Sequence, residues 1–516
     1  MKVIGLISGG KDSIFNCMLC TQQGHQIVAF ANLTPPPSIE ELDSYMYQTV
    51  GNALIQSISQ CWRSESNPIP LFQLQITGKP LSTTSNTYSP TEEDEVEDLF
   101  TLLSQVLSQV PGAEAVAVGA ILSNYQRLRV ENVCSRLGIV CLAFLWQQDQ
   151  HKLLDSMIES GVEAVLVKVA AMGLHTGMLG KGIGQVRGEL LHLASLHGLN
   201  VCGEGGEYES MVLDCPAFDR RIVLDEWEVV EVEESEWAPV AFLHPKAWHL
   251  EAKGAGGSGG TSASYRPSEI HTAVDRPGAT ATTTKIASTS ASSSTNAHPT
   301  SPSLTNPLDI PFPFTASSEW KDSISQKDRE EAAFIMIILP DMHKYSEFNT
   351  HYATMFPSVN PPARACVQVK GVGGGGKPLY KVIKFPITFH LHVQSISFWA
   401  PANIGPYSQL VENSEQGFTM LSGLLGFYPE KMQLAESANE QFGLILSHVN
   451  ALNLKRRVFD FWVVFFVAEC LDWVPEWHER IREEFCLGAE IVSVVVDGLP
   501  RGALVEVVCW CGGGAV

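Results

Sequence analysis

The six residues Ser8-Gly9-Gly10-Lys11-Asp12-Ser13 combine groups that suit a phosphate. Two glycines let a ligand approach the main chain, and successive N–H groups at a helix start attract anions. Lys11 adds a positive charge, and Ser8 and Ser13 add hydroxyls. Asp12 would repel phosphate, so it indicates either a Mg²⁺ ion that bridges to phosphate or a helix cap. The loop also differs from the common phosphate loop G-x-x-x-x-G-K-[ST].

A second group of candidate residues lies in the stretch CGEGGEYES, residues 202–210. Its glycines predict a tight loop that presents Glu204 and Glu207 together. Such carboxylates can hold ammonium or take a proton from it, and Tyr208 adds cation–π attraction. The alternative is a solvated acidic turn before a strand at Met211–Leu213.

Two further stretches hold candidate substrate-binding residues. Arg127 and Arg129 could meet a phosphate or a carboxylate, and Glu131 could orient one of them. The alternative is that all three are exposed helix residues. Tyr45 and Gln48 fall about one turn apart on a predicted helix, where they either line a cleft or pack and cap.

The elements that must position these residues alternate between strand and helix patterns over residues 1 to about 250. Short apolar strands are each followed by a helical pattern, including a long helix expected at Leu42–Ser59. The alternation predicts an α/β fold with a doubly wound parallel sheet. Ligands of such sheets bind at strand carboxyl ends near a switch in strand order, and Ser8–Ser13 follows the first strand. The strands are predicted at Val3–Ile7, Gln26–Leu33, Leu71–Gln75, Ala115–Val118, Val140–Leu142 and Ala164–Val167.

Composition restricts the class of protein. A net charge of −22 over 516 residues argues against a protein that mainly grips nucleic acid. Twelve cysteines without framework spacing indicate reduced thiols and a cytoplasmic location. Strand residues directly follow Met1-Lys2, and the apolar run 461–468 is too short to cross a bilayer. No leader and no membrane attachment are therefore expected.

The C-terminal half is expected to be separated from the first domain, 1–250, by a linker. Residues 251–327 are rich in Gly, Ser, Thr and Pro and hold few large apolar side chains. They cannot bury enough surface to offset the entropy of ordering, so a disordered linker is predicted. Order is expected to return over 328–372 and 388–516.

The loop at residues 8–13 resembles the pyrophosphate loop of N-type ATP pyrophosphatases, which cleave ATP between the α- and β-phosphates. Residues 44–51, 119–134, 145–150 and 202–210 narrow this resemblance to the diphthine–ammonia ligases. It implies a PP-loop fold and ATP-dependent amidation of diphthine, a modified histidine of translation elongation factor 2. The diphthine carboxylate is adenylated, pyrophosphate leaves, and ammonia then displaces AMP.

This resemblance also implies roles for the candidate residues. Ser8 to Ser13 hold the pyrophosphate end of ATP, with Asp12 as the Mg²⁺ ligand. The acidic loop handles ammonium or orients the trimethylammonium group of diphthine. The implied catalytic residues are Lys11, Asp12, Glu204 and Glu207, and the implied substrate-binding residues are Tyr45, Gln48, Arg127, Arg129, Glu131 and Tyr208.

The C-terminal half resembles YjgF-type domains, the small trimeric α+β fold of reactive-imine deaminases. Residues 399–409 and 421–429 are similar to its start, 341–365 to its second half, and 499–506 to its closing strand. Two repeats are implied, 328–372 and 388–516, neither with a full site. The remaining site residues are Arg364, Gly405, Tyr407, Ser408 and Glu506.

These incomplete repeats leave several interpretations open. Arg364 could complement the loop of the second repeat across an internal interface. The preferred interpretation is a docking module that helps to seat the elongation factor, with possible oligomerisation through the repeats. Residues 371–390 and 455–470 interrupt the YjgF pattern, either as insertions or as errors in the reading frame.

The leading hypothesis is a ligase that uses ATP and Mg²⁺ to make diphthamide. Its partners are diphthine-bearing elongation factor 2 and ammonium, without nucleic acid or membrane. Two alternatives stay open. One is a tRNA-modifying ATP pyrophosphatase of the same fold, and the other is an imine deaminase or scaffold dominated by the YjgF-like repeats.

Overall fold

The computed structural model describes the chain except for residues 38–41, 43, 45, 64–67, 82–87, 234, 236, 254–303, 313–319, 357–358, 373–375, 456 and 513–516. The chain divides into two units. The N-terminal unit contains residues 1–270 and 394–399, and the C-terminal unit contains residues 271–393 and 400–516. The short segment 394–399 therefore belongs to the first unit, although the sequence analysis places it in the second YjgF-like repeat.

A five-stranded parallel sheet forms the centre of the N-terminal unit, with strand order β3-β2-β1-β4-β5. The chain runs outward from β1 to β3 and then returns to β4, so strand order switches between β1 and β4. This confirms the predicted doubly wound parallel sheet. The strands are β1 Lys2–Leu6, β2 Gln26–Thr34, β3 Leu71–Gln75, β4 Ala115–Ala117 and β5 Val140–Leu142.

In the part of this unit that the structure describes, six α-helices accompany the strands. Local capping sets the ends of some of them. Before α4, for example, the Ser123 hydroxyl accepts a hydrogen bond from the Gln126 N–H, and Gly138 ends the helix at φ 69°. The helices are α1 Lys11–Gln22, α2 Ile55–Cys61, α3 Glu95–Gln109, α4 Asn124–Leu137, α5 Gln150–Glu159 and α6 Ile183–His197.

The predicted long helix at Leu42–Ser59 is wrong. Of its described residues, only those from Asn52 onward are helical, as a 3₁₀ turn at Asn52–Leu54 and then α2. Side chains compete with the helix for backbone groups: the Ser44 hydroxyl accepts from the N–H groups of Met46 and Tyr47. Such local bonds offer an alternative to the helical pattern.

The second sheet of the N-terminal unit is antiparallel, in the order β7-β6-β9-β8. The predicted strand Ala164–Val167 therefore does not extend the parallel sheet. Apolar periodicity indicates burial, but it carries no information on the direction of strand pairing. The strands are β6 Glu163–Val169, β7 Tyr208–Asp214, β8 Arg220–Glu233 and β9 Val240–Ala252.

The C-terminal unit contains a three-stranded sheet, β11-β10-β12, and a seven-stranded sheet in which β19 lies between β20 and β21. It is a mixed α+β unit, as the sequence predicts. Its helices are α7 Gln326–Glu331, α8 Tyr345–Ala353, α9 Ala438–Leu452 and α10 Val474–Glu484. Its strands are β10 Ala332–Leu339, β11 Ala363–Gln368, β12 Leu379–Lys384, β13 Phe389–Leu391, β14 Leu410–Asn413, β15 Phe418–Leu421, β16 Leu424–Leu425, β17 Phe427–Tyr428, β18 Gln433–Leu434, β19 Phe461–Val467, β20 Glu490–Val496 and β21 Val505–Cys511.

The two segments that interrupt the YjgF pattern each contribute a strand. β12 pairs antiparallel with β10, and β19 pairs with both β20 and β21. The side chains of β19 from Trp462 to Phe466 are fully buried. Both segments are therefore integral to the sheets of this unit.

Part of the predicted disordered linker, 251–327, packs within the C-terminal unit. Residues 254–303 and 313–319 lie outside the described residues. The described part packs, because Ile310 belongs to the core and the Trp320 indole donates to the Leu308 carbonyl. Among the described residues of the whole chain, no helix is both long and apolar enough to cross a membrane.

Candidate active site

A cavity of about 690 Å³ lies at the carboxyl ends of β1 and β4, where strand order switches. It is lined by the loop after β1, the start of α4 and the acidic loop before β7. The sequence-predicted residues that line it are Ser8, Lys11, Asp12, Ser13, Gln48, Glu204 and Tyr208. The fold thus brings two distant motifs, residues 8–13 and 202–210, to one cavity.

The loop after β1 has the conformation that its glycines permit. Gly9 has φ 84°, which favours glycine, and Gly10 is the N-cap of α1. The Ser13 hydroxyl donates to the Gly10 carbonyl and accepts from the Ser8 N–H at 3.3 Å. The Lys11 N–H donates to the Ser210 hydroxyl, while the next amides of the first turn have no helical carbonyl to bond. The sequence predicts an anion site here, and a helix start with glycines before it has the geometry that such a site requires.

The end of β4 comes very close to this loop. A Cβ built on Gly119 would lie 2.7 Å from the Ser13 nitrogen and 2.8 Å from the Asp12 carbonyl carbon. Real Cβ atoms do not approach backbone atoms so closely, so any side chain at residue 119 would displace the loop. The close approach fixes the loop against the neighbouring strand.

Lys11 and Asp12 form an ion pair in the first turn of helix α1, with 2.9 Å between Nζ and Oδ2. The Lys11 ammonium also donates to the Cys202 carbonyl and lies 5.0 Å from the centre of the Tyr208 ring. Burial alone would lower the pKa of Lys11, but Asp12 and Tyr208 raise it, so Lys11 stays charged. Lys11 therefore joins the first loop to the acidic loop.

The Asp12 carboxylate fits the Mg²⁺ that the resemblance implies. Its Oδ1 is buried and has no hydrogen-bond partner, while Oδ2 is paired with Lys11. Burial raises the pKa of Asp12, so a cation at Oδ1 would favour its ionised form. The described residues hold no group of three or more His, Cys, Asp or Glu suited to a metal. One carboxylate is nevertheless sufficient for Mg²⁺, which keeps waters and takes further oxygens from phosphates.

The two glutamates of the acidic loop have different surroundings. Glu204 lines the cavity, and its Oε2 accepts from the Leu122 N–H at 2.9 Å. Burial, then the charge of Asp12, raises the pKa of Glu204. Glu207 does not line the cavity: its carboxylate accepts from both nitrogens of Asn200 and from the Gly205 N–H. Glu204 therefore faces the cavity, and Glu207 holds the loop together.

The cavity also contains polar groups to which the sequence analysis assigns no role. Lys168 on β6 and Glu209 on β7 both line it, with 3.5 Å between Nζ and Oε1. They are directly paired across the antiparallel strands. The signal that could have identified Glu209 is its place in the same acidic stretch as Glu204 and Glu207. Lys168 carries no such signal, because it lies within a strand whose other residues are mostly apolar.

Three predicted substrate-binding residues on α4 lie outside the cavity. Tyr125, Gln126 and Val130 line it instead, because they lie on another face of the helix. The three predicted residues, Arg127, Arg129 and Glu131, are all buried. Arg127 pairs with Glu131 at 2.8 Å, and the Arg129 guanidinium stacks 3.4 Å from the Tyr125 ring centre.

Residues 45 and 48 have different outcomes. Tyr45 lies outside the described residues. Gln48 lines the cavity, and its side-chain amide donates to the Ser210 carbonyl at 3.0 Å. It reaches the cavity from an irregular segment rather than from the predicted helix.

The C-terminal unit brings its predicted site residues together. The Arg364 guanidinium donates to Asn349 and to the Tyr345 hydroxyl and lies 5.0 Å from the Tyr407 ring centre. A Cβ on Gly405 would approach the Arg364 Nη2 to 2.5 Å. The first repeat therefore meets the loop of the second, as the sequence analysis suggests, although Arg364 is only 2% exposed.

The other two residues of this cluster are buried as well. The Ser408 hydroxyl donates to the Pro361 carbonyl at 2.6 Å. Glu506 accepts a long hydrogen bond, 3.5 Å, from the Cys366 N–H, and its Oε2 has no partner. Burial raises the pKa of Glu506 to about 8, so it is protonated at neutral pH.

Glu506→Gln should remove a pH dependence of stability. The pKa of Glu506 is about 4.5 when unfolded and about 8 when folded, so the folded state holds a proton that the unfolded state releases. The free energy of unfolding should thus fall as pH rises from about 4.5 to about 8, by about 1.4 kcal/mol per unit at most. The free energy of unfolding is measured by urea denaturation, with amide exchange of β21 as the readout. Its slope against pH should be smaller in the variant. Equal slopes for both proteins would contradict the buried, protonated state.

Comparisons with known proteins indicate the family of the chain. Family models described as diphthamide synthase N-terminal and C-terminal domains match residues 1–141 and 149–244. A diphthine–ammonia ligase of Schizosaccharomyces pombe is 36% identical over 98% of this chain and 87% of its own length. A diphthine–ammonia ligase of Danio rerio is 48% identical over 49% of this chain and 98% of its own length.

The C-terminal half has relatives of its own. A RutC family protein of Aquifex aeolicus is 32% identical over 21% of this chain and 89% of its own length. Solved structures similar to the chain include the yjgF gene product of E. coli, at 22% identity and a TM-score of 0.21, covering 24% of this chain and 98% of that one. The two domain models match the N-terminal half, and the Schizosaccharomyces pombe relative matches 98% of the chain. We therefore conclude that the chain belongs to the diphthine–ammonia ligase family.

Proposed function

We propose that the chain amidates the carboxylate of diphthine on translation elongation factor 2, using ATP and ammonium. In the first step a carboxylate oxygen attacks the α-phosphorus of ATP, and the bond to the bridging oxygen breaks to release pyrophosphate. In the second step ammonia attacks the acyl carbon, AMP leaves, and a proton is lost. The observation that carries the proposal is the meeting of the Ser8–Ser13 loop and the Glu204 loop in one cavity at the strand switch.

The first loop is suited to the departing pyrophosphate. The start of α1 presents N–H groups and the positive end of the helix dipole, and Lys11 supplies a fixed charge. Asp12 would hold Mg²⁺, which neutralises phosphate charge when bound. Pairing with Asp12 and the Cys202 carbonyl keeps the Lys11 ammonium in place before substrate binds, so little reorganisation is needed.

Glu204 is suited to the nitrogen substrate. Its carboxylate lines the cavity and has a raised pKa, which brings it closer to the range in which a carboxylate can accept a proton near neutrality. The Leu122 N–H fixes its Oε2. Glu204 would bind ammonium and take up the proton that must leave before attack.

Glu204→Gln and Glu207→Gln should therefore fail in different ways. We expect Glu204→Gln to lower kcat/KM for ammonium about 10²-fold, the usual contribution of a general base, while pyrophosphate release continues. Glu207→Gln should instead lower the free energy of unfolding by about 1 kcal/mol through a weakened loop. Steady-state kinetics with varied ammonium and urea denaturation separate the two effects. Equal kinetic losses in both variants would refute the distinction.

The proposal is tested with the purified 516-residue chain, Mg²⁺, ATP, ammonium and diphthine-bearing elongation factor 2. AMP and an amidated histidine, detected by mass spectrometry of the modified peptide, are the expected products. Elongation factor without diphthine is the control and should produce little AMP. If tRNA but not the elongation factor stimulates AMP release, the tRNA-modifying alternative replaces this proposal.

A further inference from the structure

Residues 394–399, with the sequence QSISFW, reach into the N-terminal unit although both neighbouring residues belong to the C-terminal unit. They extend the parallel sheet at its β5 edge. The Ile396 N–H donates to the Cys141 carbonyl, and the Ala143 N–H donates to the Ile396 carbonyl, both at 2.9 Å. Leu142 and Ile396 form a parallel bridge. The segment thus continues the strand order beyond β5.

Aromatic side chains fix the end of the segment. The Phe398 ring lies 5.0 Å from the Phe144 ring, and Phe398 belongs to the main core of this unit. The Trp399 ring meets the Trp146 ring edge-on at 6.4 Å. Such contacts bury large apolar areas, so the segment is an integral part of the unit.

Glu131 on α4 is the polar anchor of the segment. Its Oε1 accepts from the Ser395 hydroxyl at 2.7 Å, from the Ser395 N–H at 3.0 Å and from the Gln394 N–H at 3.3 Å. Its Oε2 accepts from Arg127, whose guanidinium lies 5.0 Å from the Trp146 ring centre. Glu131 is 1% exposed, so its carboxylate has lost its water of hydration. These donors replace the hydrogen bonds of that water.

The anchored helix leads directly to the cavity. Glu131 lies two turns beyond the first residues of α4, and Ser123, Tyr125 and Gln126 at that end line the cavity. The residue just before them, Leu122, donates to the cavity carboxylate of Glu204. A shift of α4 would therefore move one wall of the cavity and the residue that fixes Glu204.

A second connection runs from the same edge to helix α1. Asn16 of α1 is buried, and its side chain donates to the Leu142 carbonyl and accepts from the Phe144 N–H. Residues 142–144 also contact the segment, because Leu142 forms the bridge to Ile396 and the Phe144 ring packs on Phe398. The helix that begins at Lys11 thus rests on the stretch of chain that the segment supports.

We propose that residues 394–399 are a positioning segment for the active-site cavity, with Ser395 as its key positioning residue. Through Glu131 the segment holds α4, and through residues 142–144 it supports α1. The competence of the ATP-binding cavity thereby depends on six residues that follow the rest of this unit by more than 100 positions in the chain. This inference rests on the proposed function only where it concerns the Michaelis constant for ATP.

The test compares Ser395→Asp, Ser395→Ala and Ser447→Asp in the full chain. Ser395→Asp places a second carboxylate against Glu131, whereas Ser395→Ala removes only the hydroxyl donor. Ser447 is exposed on α9, so Ser447→Asp is a matched control for the added charge. Hydrogen exchange is measured by mass spectrometry for peptides covering 119–127, 141–146 and 394–399, together with kcat and KM for ATP.

We expect Ser395→Asp to speed exchange about tenfold in all three peptides, because local opening exposes amides that contacts now protect. The KM for ATP should rise several-fold with a smaller change in kcat. Ser395→Ala should show a weaker form of both effects, and Ser447→Asp neither. Glu131→Gln combined with Ser395→Asp should recover much of the protection, because the like-charge repulsion is gone.

Unchanged exchange in 119–127 would overturn the inference, even if residues 394–399 themselves open. So would a Ser395→Asp chain that unfolds globally without rescue by Glu131→Gln, because that result indicates a purely structural role. The exchange measurement needs no turnover. If the unmodified chain forms no AMP, the proposed function fails, while exchange in 119–127 still decides whether the segment positions the cavity.

Discussion

Asp12→Asn should lower the rate of AMP formation by about 10²–10³-fold, the loss typical when one electrostatic stabiliser of a transition state is removed. The amide keeps the size of the side chain and can still accept from Lys11, but it loses the negative charge. The Asp12 Oδ1 is buried without a partner, so it is the atom in this loop available to Mg²⁺. The variant should also need more Mg²⁺ to reach half of its maximal rate.

The measurement is the initial rate of AMP release over a Mg²⁺ titration. Asp219→Asn is a suitable control, because Asp219 forms an ion pair with Arg63 in which both side chains are more than half exposed. Such surface pairs contribute little, so the control should keep the rate and the fold. If Asp12→Asn formed AMP at the wild-type rate, the proposed Mg²⁺-binding role of Asp12 in the Ser8–Ser13 loop would be wrong.

Lys11→Met should abolish most activity and also destabilise the N-terminal unit. Methionine has a similar shape but no charge, so Asp12 loses its partner and the Cys202 carbonyl loses its donor. Breaking a buried ion pair from one side costs roughly 3–5 kcal/mol. Because the Asp12 side chain is 25% exposed, we expect about 2–3 kcal/mol.

The double variant Lys11→Met with Asp12→Asn separates stability from catalysis. Removing both charges eliminates the unpaired carboxylate, so the free energy of unfolding should recover by more than 1 kcal/mol relative to Lys11→Met. AMP formation should not recover, because both charges that we propose to act on the phosphates are absent. Urea denaturation and AMP release are measured on all four proteins of the cycle. Recovery of activity together with stability would show that Lys11 acts only on the fold.

The parts of the structure that were predictable from sequence depend on local patterns. The Ser8–Ser13 loop could be placed because an apolar strand and a helical pattern flank it within a few residues. The helix over Leu42–Ser59 could not be excluded, because the competing bonds from Ser44 leave the apolar spacing unchanged. Glu204 and Glu207 have the same residue type and the same loop, and only the folded structure shows which of them faces the cavity.

The least predictable feature was the role of Glu131. The sequence shows an acidic residue one turn after an arginine, which is typical of an exposed helix pair. Its principal partner, Ser395, lies 264 residues away, and no periodicity connects them. Long-range contacts of this kind depend on the whole topology, so the resemblance to ligases could suggest a substrate role but not the actual contact.

The position of residues 394–399 in the chain also affects how the protein is made. β9 ends at Ala252 and the segment begins at Gln394, so about 140 residues are synthesised between them. At roughly 5–20 residues per second, this interval lasts about 7–30 s. During this time the ribosome has completed every strand of both N-terminal sheets, but the segment that fills the edge beside β5 does not yet exist. A premature stop codon between these points would leave every predicted residue that lines the cavity intact and still produce a chain without its positioning segment.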